Sequence, residues 1–166
     1  MKRMNRKSTN VTLLEVAKWV TVLLVLIFLI GKLSANRSSN TSFEDMSAAV
    51  CDAAALDTMQ LADNQMVKRL YGLDPNDYEG VLLYYPTSNM GAEELLLVKL
   101  SSTDQLDTVT DAVNARVQSQ KNSFEGYGVS QYEMLENCVI ETTGNYVLLV
   151  VASDPTPVRQ AFKSAL

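Results

Sequence analysis

The chain predicts an α+β fold behind one N-terminal apolar segment, and three observations carry that prediction. An uncharged run, WVTVLLVLIFLI at Trp19–Ile30, comes after a basic stretch. Further on, two short and almost continuously apolar segments precede a helical pattern, and the order strand, strand, helix then comes a second time. Two such units most economically make a four-stranded, mainly antiparallel sheet with helices on one face.

The first element is the apolar run. Lys2, Arg3, Arg6 and Lys7 precede it, making residues 1–10 a basic tail. The uncharged interval between Lys18 and Lys32 would span only about 20 Å as a helix, against a bilayer core of about 30 Å. Extending it to Val11–Leu33 gives a spanning length and encloses Glu15 and Lys18, three apart on one helical face where they can pair. Trp19 suits the membrane interface. Residues 11–33 are therefore read as a transmembrane signal-anchor in the cell membrane. The alternative is a cleaved secretory signal cut after Ala35, although Leu33, two positions before Ala35, is bulky for such a site. Both readings keep the basic tail in the cytoplasm and export the C-terminal part of the chain.

Charge divides at the same place. Residues 38–166 hold seven basic against eighteen acidic residues, a net of −11, concealed within the whole-chain −5. Such a domain repels phosphate, so no nucleic-acid partner is expected. Cys51 and Cys138 both fall on the exported side, where a disulfide is allowed, the alternative being two buried free thiols.

Residues 34–42, SANRSSNTS, form a polar linker, and 43–166 suffice for one extracytoplasmic α+β domain. Phe43–Leu56 is a helix with Phe43, Met46, Val50 and Ala54 on one stripe. Asp63 caps a second helix carrying Met66, Val67, Leu70 and Tyr71 and stopped by Gly72. Val81–Tyr85 and Leu95–Leu100 are strands whose continuous apolarity suggests burial on two faces. Ser102–Gln105 fits a capping box for a helix striped by Leu106, Val109, Val113 and Val117. Cys138–Thr142 and Tyr146–Ala152 are strands joined through Gly144-Asn145, a two-residue hairpin signal. Asp154-Pro155-Thr156-Pro157 opens a last helix facing inward through Val158, Ala161, Phe162 and Ala165.

Little of the chemistry points to catalysis. Histidine is absent, which removes the commonest general base and any Ser-His or Cys-His nucleophile. No cysteine spacing suits zinc and no Gly-rich loop suits a phosphate, so neither metal nor cofactor is expected. Asp104, Asp107 and Asp111 share a helix face but have no loop to fold carbonyls around a cation. The informative feature is polar intrusion into an apolar stripe: Gln120 falls inside the sector of Val109, Val113 and Val117, and Arg116 at its edge. Either Arg116 pairs with a structural carboxylate such as Glu94 or Glu125, or Arg116, Gln120, Tyr127, Tyr146 and Glu94 contribute to a ligand-binding pocket. Arginine with aromatics suits carboxylate- or sugar-bearing ligands.

Several blocks of residues resemble one family. They are Lys68-Arg69-Leu70-Tyr71-Gly72, Tyr78-Glu79-Gly80, Met90 through Glu94, Arg116 with Gln118-Ser119-Gln120-Lys121, Phe124-Glu125-Gly126-Tyr127 and Gly144-Asn145-Tyr146. Together they resemble domain-of-unknown-function family 4358, whose members are exported, lipoprotein or membrane-anchored proteins of clostridia-like Gram-positive bacteria. The resemblance spans about Met46–Phe162 and implies an envelope location without implying an activity or any catalytic residue. The function expected is a non-catalytic cell-envelope binding or accessory module, held to the membrane by residues 11–33 and engaging an envelope protein or a cell-wall polymer. The alternative is an enzyme subunit or cryptic hydrolase acting on cell-surface polymers.

Overall fold

A computed structural model describes residues 16, 18–23, 25 and 40–166. The chain divides into two compact units, residues 1–37 and 38–166. Among the described residues no helix is long and apolar enough to cross a membrane. Most of the 11–33 segment, together with the basic tail 1–10, the cut after Ala35 and residues 34–39 of the linker, lies outside the described residues; residues 16, 18–23 and 25 are helical.

Local signals set the start of each element in the second unit. Ser42 Oγ accepts from Asp45 N at 3.0 Å and starts α1, Phe43–Ala53. A three-residue strand, β1, Met59–Leu61, comes next. Asp63 Oδ1 then accepts from Met66 N at 2.8 Å, capping α2, Asn64–Tyr71, which ends at Gly72 with φ +71°. That left-handed geometry disfavours any residue with a Cβ. Strands β2, Gly80–Pro86, and β3, Glu94–Lys99, lie beyond it. Ser102 and Gln105 form the expected capping box around one 3-10 turn. It leads into α3, Leu106–Phe124, and then into a shorter helix α4, Val129–Glu136. Strands β4, Val139–Thr143, and β5, Tyr146–Val151, are joined at Gly144, φ +61°. The chain closes in α5, Thr156–Ala165.

The sheet runs β1-β2-β3-β5-β4 with every pairing antiparallel. It has five strands where four were expected. The additional one, β1, is a short edge strand whose Leu61 is exposed. It pairs Met59 with Pro86 and Leu61 with Tyr84.

The helices cover both faces of the sheet, not the one face that the order of strands and helices predicts. On one face Leu83, Leu96, Val98, Val147 and Leu149 pack with Val67 of α2, Val113 of α3 and Leu135 of α4. On the other, Leu95, Leu97, Leu148 and Val150 pack with Met46 and Val50 of α1 and with Val158 and Phe162 of α5. The physical reason is the composition of the central strands. All six positions of β5 are buried, so neither alternating set of side chains can be left to water.

Cys51 packs into the core under α1 and α5, whereas Cys138 packs into the one under α2, α3 and α4. Both thiols are free. The pairing considered for them does not form, because the sheet lies between the two cores. Burial pushes both thiols above their ordinary pKa.

Candidate functional site

The alternation of β3 turns Glu94 to the same face as Leu96 and Val98, toward α2 and α3. Glu94 is 1% exposed, and its carboxylate is surrounded by donors. Arg116 Nε donates to Oε1 at 3.1 Å and Nη2 to Oε2 at 2.7 Å, a two-pronged guanidinium–carboxylate pair. Gln120 Nε2 donates to Oε2 at 2.6 Å, and the Tyr71 hydroxyl donates to Oε1. Arg116 and Gln120 lie one helical turn apart on α3, so a single helix face supplies three of the four hydrogen bonds.

Burial and then the adjacent Glu94 charge hold the Tyr71 phenol well above its usual pKa. Burial works against the Arg116 charge, but the hydrogen bonds and charge of Glu94 outweigh it and keep its pKa above the ordinary value. Removing one member of such a buried pair costs roughly 3–5 kcal/mol, since the surviving charge is left without a partner. The cluster therefore ties α2 and α3 to the sheet. Glu94 is committed on both oxygens.

Beside this cluster runs a groove of 430 Å³. Arg116, Gln120 and Phe124 of α3, Arg69 of α2, Tyr85 of β2 and Tyr127 after α3 are among the residues that line it. Gln120 is 7% exposed. Its amide nitrogen is used on Glu94, but its Oε1 is buried without a hydrogen-bond partner. An acceptor left so costs on the order of 1–3 kcal/mol. Tyr127 is 63% exposed on the same groove, its ring 6.0 Å from that of Phe124.

The five residues expected to form a pocket thus divide. Arg116, Gln120 and Tyr127 share the groove, and Glu94 sits behind it as the anchor of Arg116 and Gln120. Tyr146 is elsewhere: β5 turns it to the opposite face, edge-on to Phe162 at 6.4 Å, and its hydroxyl donates to Thr41 O at 2.9 Å. Of the two carboxylates considered for Arg116, Glu94 is its partner. Asp104, Asp107 and Asp111 are all exposed.

Sequence pattern does not mark Arg69, Tyr71 or Tyr85 as site residues. A tyrosine in the buried stripe of α2 was the available clue to the first layer, because its hydroxyl needs a partner. Nothing local marks Arg69 or Tyr85, which reach the groove that Arg116 lines only through helix–sheet packing.

No curated protein and no solved structure matches the chain. Residues 52–152, which contain Tyr71, Glu94, Arg116, Gln120 and Tyr127, match the family described as Domain of unknown function (DUF4358), and the chain belongs to that family.

Proposed function

We propose that this protein is a membrane-anchored, extracytoplasmic binding or accessory module of the cell envelope, and that it holds a segment of an envelope polymer in the groove between α2 and α3. The observation that carries the reading is Gln120 Oε1, a buried acceptor without a partner in the wall of a groove. A hydroxyl or amide donor from an occupant would satisfy it. Exposed Tyr127 and half-buried Tyr85 supply flat apolar surface for the rest of the ligand. The basic tail, apolar run and acidic domain support the location.

A hydrolase reading would require Glu94 to move a proton. Four hydrogen bonds hold that carboxylate beneath the sheet–helix interface, which favours an anchoring role over acid–base work.

The test has two arms. External protease on intact cells should remove a C-terminal tag from the full-length chain, and a protected tag would refute the location. Purified full-length protein in detergent micelles should be retained on immobilised envelope polysaccharide. Tyr127→Ala should weaken that retention about tenfold, within the range of one lost aromatic contact. Unchanged retention would refute the groove.

A further inference from the structure

The charge distribution around this groove is the reverse of the rest of the domain. Residues 38–166 carry eighteen carboxylates and seven cations. Lys68, Lys99, Arg116, Lys121, Arg159 and Lys163 each hold a carboxylate at 2.9 Å or less. Arg69 does not: among residues 40–166 it is the cation without a carboxylate partner, and its Nη2 contacts only Met66 Sδ at 3.0 Å. Asp63, which shares a neighbouring cleft of 240 Å³ with Arg69, turns its Oδ1 to the first turn of α2.

The groove itself is lined by Arg69 and Arg116 and by no aspartate or glutamate. In a domain so rich in acid, a wall with two arginines and no carboxylate suits an anion. Arg116 is already occupied by Glu94, so Arg69 is the group open to one.

We infer that the groove binds a sugar unit bearing a single acid group, with the acid on Arg69, a sugar hydroxyl donating to Gln120 Oε1, and the ring against Tyr127 and Tyr85. The inference rests on the groove reading and adds the ligand class. Two separate observations meet in it. The unpartnered Gln120 acceptor needs a donor, which a bare anion lacks, and unpartnered Arg69 needs an acceptor of negative charge, which a neutral sugar lacks. A polyanion fits poorly, because the net charge of −11 repels repeated negative groups. A guanidinium takes carboxylate or phosphate, so the shared chemistry is one acid on an otherwise neutral, hydroxyl-rich ring.

The experiment is calorimetric titration of the full-length chain in detergent micelles with glucuronate, glucose 6-phosphate and glucose. At least one acidic sugar should bind about tenfold or more tightly than glucose. Whichever does so identifies the acid as carboxylate or phosphate. Arg69→Gln, a substitution on an exposed side chain, should erase that preference while leaving the circular dichroism spectrum unchanged. Equal binding of all three sugars, or a preference that survives Arg69→Gln, would overturn the inference and leave the groove reading standing. Absence of binding by all three, with polysaccharide retention still sensitive to Tyr127→Ala, would overturn the ligand class alone. If that sensitivity is also absent, both readings fall.

Discussion

A buried glutamate, 1% exposed and held by three side chains, concentrates electrostatic interactions of the domain in one place. Glu94 is tolerated there because Tyr71, Arg116 and Gln120 replace the hydration it gives up. Tyr71 makes the arrangement pH-sensitive on the alkaline side. An unfolded tyrosine ionises near pH 10, whereas burial and the Glu94 charge hold the folded phenol higher. As pH climbs past about 10 the unfolded chain loses the proton first, so stability falls until the folded pKa is reached. Urea midpoints should therefore drop more steeply between about pH 9 and 11 for the wild type than for Tyr71→Phe. Parallel curves would show that Tyr71 is not the group responsible. Gln120 obeys a different logic, with its nitrogen spent on structure and its oxygen left over.

Among the elements, β2 depends on a close approach that its sequence does not advertise. A Cβ at Gly80 would lie 2.4 Å from the Phe43 ring of α1, well inside van der Waals contact. Gly80→Ala should cost about 1–3 kcal/mol by overpacking. In a Phe43→Ala background the same change should cost much less, as a double-mutant cycle of urea unfolding would register. Additive penalties would mean that α1 does not press on β2. Elements with strong local signals agree closely between sequence and structure. Asp63 and Gly72 bound α2, Ser102 and Gln105 open α3, and Gly144-Asn145 joins β4 to β5. The two elements that sequence does not reveal lack such signals. β1 is three residues long, and α4 has no side-chain cap and buries only Leu135.

For the molecule as a whole, the sheet separates two cores, and the cysteines report on that separation. Cys51 and Cys138 belong to different cores and are pushed up by burial, Cys51 with a further contribution from Asp52. Both should react slowly with a disulfide reagent in the native state and rapidly in urea, since the thiolate is the attacking form. Mild oxidation should leave non-reducing mobility unchanged. An intramolecular bridge formed without unfolding would contradict the placement of the two thiols on opposite faces. The same layering explains why Tyr146 and Tyr127 never meet: strand alternation assigns Tyr146 to the α1–α5 face, while Tyr127 comes after α3 on the other.

The α+β class, most helix and strand starts, the acidic character of the domain and the Arg116–Gln120 face of α3 are all legible in the sequence, because caps, turns and periodicity act over a few residues. The apolarity of Leu95–Leu100 and Tyr146–Ala152 even carries the need for cover on both faces, although strand and helix order alone points to one. Only the tertiary structure decides that cover, the choice of Glu94 over Glu125, the exclusion of Tyr146 and the arrival of Arg69 and Tyr85 at the groove. Those outcomes depend on which face of each strand meets which helix. That is a matter of packing between residues far apart in the chain, and no local pattern encodes it.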